Sequence, residues 1–151
     1  MLVTPLSSEE RLNGGFTHRI NITYADLTET AANTAQTIEL ISLPAGSAVM
    51  QAAIRLVTPF EDVSDTGLNT TTLIVGDDGD TDRFIASVEL NDNASEVYYK
   101  LAPVGTTTSP HVYTAANTVD AVFGSMAAKA LNDIDAGEIN IYLTIADLTK
   151  L

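Results

Sequence analysis

Residues 47–58 read Ser-Ala-Val-Met-Gln-Ala-Ala-Ile-Arg-Leu-Val-Thr, a pattern in which apolar and polar positions alternate. The apolar positions of one face are Ala48, Met50, Ala52, Ile54 and Leu56. A period of two is typical of a β-strand with one buried face, whereas a helix would spread these residues around its circumference. A turn at residues 43–46 comes directly before, because Pro44 fixes φ and Gly46 can adopt a positive φ. We therefore predict a half-buried strand over residues 47–58.

Alternating or β-branched composition recurs along the rest of the chain. It predicts further strands at residues 19–24, 36–43, 70–75, 97–101, 111–113, 118–123 and 138–145. Residues 84–90 fit either a short helix or a strand, and 111–123 are expected to form a hairpin that turns at residues 115–117. No helices alternate with these strands, so a parallel sheet has no support. The sequence predicts an all-β, antiparallel β-sandwich of about eight strands.

Residues 1–16 lack a strand pattern. Ser7 and Glu10 have the spacing of a capping box for one helical turn, which the glycines at residues 14–15 would end. Two interpretations stay open: a frayed terminus, or an arm that becomes ordered only against a neighbouring subunit. The predicted organisation is a short irregular N-terminal arm over residues 1–16 and one β-sandwich domain over residues 17–151.

Composition and charge narrow the function classes. Twenty acidic residues against seven basic ones give a formal net charge of -13, which repels phosphate backbones and anionic membrane surfaces. We therefore expect no nucleic-acid or membrane partner. The sequence has no cysteine, which excludes disulfides, thiolate nucleophiles and zinc–thiolate sites. It shows neither a secretory-signal pattern nor an apolar run near the ~20 residues of a membrane span, which predicts a soluble product of the cytoplasm.

The acidic stretch at residues 76–82 is the one candidate for a metal site. Asp78, Asp80 and Asp82 occupy alternate positions there, and calcium binds several carboxylate and carbonyl oxygens around one point. The stretch lacks the later glycine and the closing glutamate of an EF-hand loop. The alternative is a solvated turn whose aspartates accept backbone N–H groups. The pattern favours the turn, so we expect no cofactor, with calcium at these three residues as the alternative.

Catalytic signatures are missing from the sequence. His18 and His111 are its only histidines, and neither lies in a nucleophile motif, a nucleotide-binding motif or a metalloprotease motif. We therefore expect no enzymatic activity. Tyr98, Tyr99 and Tyr113 could form a sugar-binding platform or fill the rim of the core. The sequence has no tryptophan, which weakens the sugar-binding interpretation.

Three segments combine turn and strand patterns in a distinctive way. They are residues 37–46 (Thr-Ile-Glu-Leu-Ile-Ser-Leu-Pro-Ala-Gly), 71–84 (Thr-Thr-Leu-Ile-Val-Gly-Asp-Asp-Gly-Asp-Thr-Asp-Arg-Phe) and 136–143 (Ala-Gly-Glu-Ile-Asn-Ile-Tyr-Leu). These segments resemble small virion proteins of tailed bacteriophages, in particular jelly-roll-like head decoration (cement) proteins. The resemblance covers residues 17–151. It implies a jelly-roll-like sandwich without catalytic chemistry.

The resemblance also implies partners and a location. Cement proteins bind the outside of an assembled capsid, usually as trimers, and hold neighbouring capsid subunits together against internal DNA pressure. The implied partners are therefore the major capsid protein and two further copies of this chain, on the outer capsid surface of a virion made in the host cytoplasm. Multivalent binding by an oligomer would turn modest contacts into high avidity. Leu2, Val3, Leu6 and Phe16 would contact the capsid or an adjacent protomer.

Two other functions stay open. A receptor- or glycan-binding module of a phage head fibre or tail would use the loops at residues 61–67 and 103–110. A virion-associated hydrolase would need residues 77–82 to face Glu89 or Glu96 as an acid–base pair. Abundant aspartates alone do not define such a pair, so the hydrolase has the least support.

Overall fold

Ten strands in two antiparallel sheets account for most of the chain that the computed structural model describes, namely residues 1–12, 15–65, 70–91, 99–102 and 110–150. The strands are β1 (Leu2–Pro5), β2 (His18–Thr23), β3 (Gln36–Leu43), β4 (Ser47–Glu61), β5 (Thr72–Asp77), β6 (Asp80–Glu89), β7 (Tyr99–Ala102), β8 (His111–Val112), β9 (Asn117–Phe123) and β10 (Ala136–Asp147). The predicted all-β antiparallel sandwich is confirmed.

Helical structure in the described residues is short. One α-helix, α1 (Ser8–Leu12), is joined by the 3₁₀ turns Tyr24–Asp26, Leu131–Asp133 and Leu148–Lys150. At the start of α1 the predicted capping box is present, since the Glu10 carboxylate accepts the Ser7 N–H at 3.0 Å and the Glu10 N–H donates to the Ser7 hydroxyl at 3.4 Å. Within the described ranges, no helix is long and apolar enough to cross a membrane.

The strands divide into a large and a small sheet. The large sheet has the order β1-β2-β10-β4-β7, with β8 also pairing with β4, and the small sheet has the order β3-β9-β5-β6. The strands β8 and β9 therefore belong to different sheets, so the predicted hairpin over residues 111–123 is wrong. Residues 84–90, which fitted either a helix or a strand, lie mostly in β6. The chain crosses between the sheets after β8, at residues 113–116.

The core lies between the two sheets and is built from the inward-facing side of each strand. Alternation in β10 is the clearest case: Ile139, Ile141 and Leu143 are fully buried, and Ile139 and Ile141 pair in register with Ile22 and Ile20 of β2. The large side chains below 2% exposure are Phe60, Phe123, Ile20, Ile22, Ile54, Leu73, Ile85, Leu90, Leu131, Ile139, Ile141 and Leu143. The strand predicted at residues 138–145 is confirmed, and one of its faces is buried.

A β-bulge corrects the predicted inward face of β4. Ala48, Ala52, Ile54 and Leu56 are buried as predicted, but Met50 is 42% exposed while Val49 is 1% exposed. The register against β10 shifts at this point, and Met50 is the extra residue on β4. One inserted residue moves all following side chains to the opposite face. The regular alternation predicted from the sequence is therefore interrupted at Met50.

The N-terminal segment is more regular than predicted. Leu2–Pro5 pairs with β2 from Leu2↔Asn21 to Pro5↔His18, which makes β1 an edge strand of the large sheet. Residues 1–16 therefore include a strand and a helical turn, with residues 13 and 14 outside the described residues. A strand of four residues is too short to show an alternation in the sequence. Tertiary pairing with β2 is what orders it.

Candidate functional site

A buried carboxylate lies at one end of the sandwich. Asp77, the last residue of β5, is 1% exposed and is the only charged residue among the described ones that is buried. Its Oδ1 accepts the N–H groups of Gly79 at 2.9 Å and Asp80 at 3.0 Å. Its Oδ2 accepts Nε–H of Arg83 at 2.6 Å and the hydroxyl of Tyr113 at 2.8 Å. Four donors thus converge on one carboxylate.

The tight turn between β5 and β6 explains why Asp77 occupies this position. Asp77 and Asp80 are paired across the turn, and the side chain of Asp77 accepts the two N–H groups that the turn exposes. Gly76 precedes it because a Cβ at that position would lie 2.1 Å from the carbonyl oxygen of Asp80. The turn then returns Arg83 along β6 to the same carboxylate. The acidic stretch is therefore a turn organised around Asp77.

Tyr113 connects this turn to the other sheet. Its backbone N–H donates to the carbonyl of Ser47 at 2.9 Å, and its carbonyl accepts the N–H of Gly46 at 2.8 Å, so it is fixed at the start of β4 in the large sheet. Its ring packs edge-on against His111 with centroids 4.7 Å apart. Because Asp77 belongs to the small sheet, the bond from Tyr113 links the two sheets directly. We call Asp77, Arg83, His111 and Tyr113 the inter-sheet cluster.

The electrostatics of this cluster hold Asp77 as an anion. Burial alone would raise the pKa of Asp77, but the hydrogen bonds from Arg83 and Tyr113 outweigh burial and hold the pKa below its ordinary value. Burial and the bond to Asp77 raise the pKa of the Tyr113 phenol well above its usual range. A carboxylate with four donors has no free position for a metal ion or a transferred proton. The cluster is therefore suited to holding the sheets together rather than to catalysis.

The three aspartates of the calcium hypothesis surround this turn without converging. Asp78 and Asp82 are exposed, and the Asp80 carboxylate lies 3.9 Å from the Arg83 guanidinium. Among the residues that the structure describes, no group of three or more His, Cys, Asp or Glu side chains could hold a metal ion. The expectation of no cofactor, with calcium at these three residues as the alternative, stays a prediction, which a chelator tests below.

The two histidines lie apart from any nucleophile motif. His18 is half-buried at the start of β2, with Nδ1 2.8 Å from the hydroxyl oxygen of Thr17, and burial, followed by the charge of Arg11, lowers its pKa. The Nε2 atom of His111 lies 3.9 Å from Oδ2 of Asp77. His18 therefore contacts the preceding residue, and His111 lies against Tyr113 and near Asp77.

The carboxylate pair of the hydrolase hypothesis is not formed by Glu89. β6 runs from Asp80 to Glu89, a length of roughly 30 Å for an extended strand. Glycosidases hold their two carboxyl groups within about 10 Å of each other. Glu96, the other candidate, lies outside the described residues.

The predicted contact residues fall into two groups. On the edge strand β1, Leu2 is 63% exposed and Val3 is 36% exposed. Leu6 is 7% exposed within the chain's own core, and the half-buried Phe16 packs on Tyr142 with ring centroids 5.6 Å apart. Leu2 and Val3 are therefore exposed apolar residues of the edge strand, whereas Leu6 is buried in the fold.

The candidate recognition loops and tyrosines are only partly described. Of the loop at residues 61–67, residues 66 and 67 lie outside the described part of the chain, and so do residues 103–109 of the second loop. Tyr98 also lies outside it, and Tyr99 is described only as a backbone position of β7. Tyr113 is 4% exposed, so its ring belongs to the core and not to a surface platform.

A second group of carboxylates lies on the outer face of the small sheet. Asp120 of β9 is directly opposite Glu39 of β3. Burial raises the pKa of Asp120, and the charges of Asp78 and Glu39 raise it further, while a hydrogen bond from the Thr118 hydroxyl at 2.9 Å opposes these effects. Sequence reasoning missed this group because Glu39 and Asp120 are far apart along the chain.

Replacing Asp120 with asparagine should therefore stabilise the protein at neutral pH. A raised carboxylate pKa means that the folded state loses stability as pH rises through that pKa. Asparagine keeps an acceptor for Thr118 but removes the repulsion, so we expect a gain of up to about 1 kcal/mol, or roughly 3 °C in melting temperature. Thermal melts at pH 7 and at lower pH measure it, and the gain should shrink as pH falls. The exposed Asp82→Asn variant is the control, and an unchanged or lower melting temperature for Asp120→Asn would contradict the prediction.

Comparison with known proteins identifies a shared fold but assigns no family. No protein-family model matches this sequence, and no curated protein matches it. The structure is similar to a chain of the acidic stable capsid structure of Helicobacter pylori bacteriophage KHP30, at 12% identity and a TM-score of 0.50, covering 84% of this chain and 90% of that one. It is also similar to a chain of the cyanophage Pam1 capsid asymmetric unit, at 20% identity and a TM-score of 0.52, covering 83% of this chain and 77% of that one. The chain shares the β-sandwich fold of these two chains.

Proposed function

We propose that this protein is a structural component of a bacteriophage virion, and that it binds the outside of the assembled capsid as a decoration protein. The observation that carries the proposal is the fold shared with chains of two phage capsid structures, over 84% and 83% of this chain. The strand and turn patterns that resemble cement proteins lie within the same sandwich. A structural role needs no catalytic centre, and we propose none.

The interior of the chain suits a protein that must resist mechanical stress. The buried Asp77 joins the small sheet to Tyr113 beside the large sheet by a 2.8 Å hydrogen bond. At the other end of β4, Phe60 packs against Phe123 of the small sheet with ring centroids 5.7 Å apart. Contacts at both ends of the sandwich resist sliding of one sheet over the other. A stable, cofactor-free sandwich is what a protein that braces a capsid requires.

The edge strand β1 is the proposed contact with the major capsid protein or with an adjacent protomer. It exposes Leu2 and Val3 beside a strand edge that pairs with no other described strand, and such an edge can pair with a strand of a partner. Three identical chains on one local threefold position would bind with the avidity of three contacts. The proposed assembly is thus a homotrimer on the outer capsid surface.

Light scattering of the purified protein, with and without EDTA, tests the oligomer and the cofactor together. We expect the mass of a trimer, unchanged by the chelator. A monomer at all accessible concentrations would contradict the proposed trimer. Dissociation on adding EDTA, reversed by calcium and abolished in the Asp78→Asn/Asp80→Asn/Asp82→Asn variant, would contradict the cofactor-free proposal and assign calcium to these aspartates.

The Leu2→Asp variant tests the role of β1 in binding. A charge in an apolar contact typically costs well over 1 kcal/mol, so binding to undecorated shells should weaken by about tenfold or more. The melting temperature should be unchanged, because Leu2 is 63% exposed. Val63→Asp is the matched control, since Val63 is 66% exposed in a turn away from β1. Equal binding by Leu2→Asp and the wild-type protein would remove β1 from the contact.

A further inference from the structure

The first twelve residues, which we call the N-terminal unit, make their polar contacts with the sandwich at β2 and beside it. The strand β1 of this unit pairs with β2 from Leu2↔Asn21 to Pro5↔His18. The N–H of Leu6 donates to the carbonyl of Thr17, the residue before β2, at 2.9 Å. The Met1 ammonium group pairs with Asp26, in the 3₁₀ turn that follows β2. The described contacts therefore attach this unit to a single strand and its two ends.

The hydrogen bonds that hold α1 stay inside the N-terminal unit. The Nε–H of Arg11 donates to the carbonyl of Leu6 at 2.9 Å, and the Glu10 carboxylate accepts the N–H of Ser7 at 3.0 Å. The connection to β2 adds a backbone bond from the N–H of Gly15, whose φ is +73°, to the carbonyl of Arg11 at 2.7 Å. The other described polar contacts of the unit would be the same if β2 belonged to a second copy of the chain.

The connection between β1 and β2 is longer than a hairpin needs. It covers residues 6–17, whereas adjacent antiparallel strands are commonly joined by about two to five residues. A chain of this length spans roughly 40 Å when extended, and neighbouring strands are only about 5 Å apart. The N-terminal unit can therefore reach either the β2 of its own chain or the β2 of an adjacent copy.

Charge favours the N-terminal unit as the contact between copies. The chain has a formal net charge of -13, so two copies repel each other across most of their surfaces. Residues 1–8 contain no charged side chain, and Leu6 is an apolar anchor that is 7% exposed. Exchange of this unit would join copies through backbone hydrogen bonds and apolar burial, and it requires no additional surface of complementary charge.

We infer that the copies of the assembly exchange their N-terminal units, so that β1 of each copy pairs with β2 of the next. The chain leaves the unit at the start of β2, and the unit binds along the edge of β2, so the exchanging copies meet on one side of the sandwich, around a common axis. A closed ring leaves every β2 paired and every Leu6 buried. An open row leaves one β2 edge and one N-terminal unit without a partner. This inference rests on the proposed trimer and names the contact that joins its copies.

A pair of introduced cysteines identifies the chain from which β1 comes. Leu2 and Asn21 are register partners on β1 and β2, and directly opposite strand residues have Cα separations that a disulfide can bridge. The sequence has no cysteine, so the oxidised Leu2→Cys/Asn21→Cys protein can contain only the introduced disulfide. We expect three linked chains on a denaturing, non-reducing gel, three times the 16.0 kDa of one chain, and single chains after reduction.

The Ser42→Cys/Thr118→Cys variant is the matched control. Ser42 and Thr118 are register partners on β3 and β9, outside the exchanged unit, so their disulfide should lie within a single chain. Thr4→Cys/Arg19→Cys, at another register pair of β1 and β2, repeats the measurement and should again link three chains. Circular-dichroism melts verify that each variant is folded.

The outcomes separate the inference from the proposal on which it rests. A wild-type protein that is monomeric in light scattering would overturn both the trimer and the exchange. A wild-type trimer in which the disulfides of both β1–β2 pairs lie within single chains would overturn the exchange alone. Failure of both pairs to form a disulfide, under conditions that oxidise the control pair, would contradict the pairing of β1 with β2 of any copy and would overturn the exchange as well.

Discussion

Replacing Asp77 with alanine is expected to lower the free energy of unfolding by about 3–5 kcal/mol, the cost of removing one partner from a buried ion pair. The change removes the carboxylate that accepts hydrogen bonds from Arg83 and from the buried Tyr113 hydroxyl. It also leaves two backbone N–H groups of the turn without this acceptor. Urea denaturation at pH 7 measures the loss. Asp78→Ala is the control, because Asp78 is the next residue but is exposed. A loss below about 1 kcal/mol for Asp77→Ala would show that the inter-sheet cluster contributes little to the stability of the sandwich.

The same carboxylate predicts how stability depends on pH. The pKa of Asp77 is lower in the folded than in the unfolded protein, because its hydrogen bonds outweigh burial. The stabilisation that ionised Asp77 gives the folded state is therefore present above the unfolded-state pKa. It is lost as pH falls through the folded-state pKa. In Asp77→Asn, the acid-induced loss of stability in this range should be smaller than in the wild-type protein. Unfolding curves taken between neutral and acidic pH give this difference.

Replacing Phe60 with alanine is expected to cost about 3–5 kcal/mol as well, by leaving a cavity at the other end of the sandwich. Phe60 is 0% exposed, and its ring packs on Phe123. Gly137 accommodates this ring: its φ is +148°, and a Cβ there would lie 2.5 Å from Phe60 ring atoms. The structure around the ring is thus closely packed and has little room to relax into the cavity.

Two further variants provide reference values for the loss of unfolding free energy expected in Phe60→Ala. Phe60→Leu keeps most of the buried volume and should cost clearly less than Phe60→Ala. Val57→Ala removes an apolar group from the same strand at a position that is 39% exposed, and it should change the free energy of unfolding by less than about 1 kcal/mol. Equal losses in all three variants, measured by urea denaturation, would contradict the role assigned to Phe60.

Regular alternation is the part of the fold that the sequence predicts best. The buried residues of β10 are predictable because burial on one face imposes a period of two over many positions. The prediction fails at Met50, where a bulge moves the side chains to the other face without leaving a signal in composition. It also fails for β1 and for the partner of β8, because strand pairing depends on residues that are distant along the chain. Local sequence patterns therefore predict where strands form, whereas long-range contacts determine which strands pair.

The candidate site shows the same limit. The acidic stretch was recognisable from its aspartates and glycines, and the turn was the favoured interpretation. Which aspartate matters was not predictable, because the role of Asp77 depends on Tyr113, 36 positions later in the chain. The opposition of Glu39 and Asp120 likewise exists only once β3 and β9 pair. Charge counts predict an acidic surface, but only the sheet order shows which carboxylates lie opposite each other.

The proposed function is that of a structural component that binds an assembled phage capsid from outside. Co-sedimentation of the purified protein with undecorated phage shells, and separately with free capsid subunits, tests this proposal most directly. We expect saturable binding to the shells at a fixed ratio, no binding to free subunits, and increased resistance of the decorated shells to heat. A protein that stays in the supernatant with intact shells would contradict it, and recognition of a host receptor or glycan would then be the function to test.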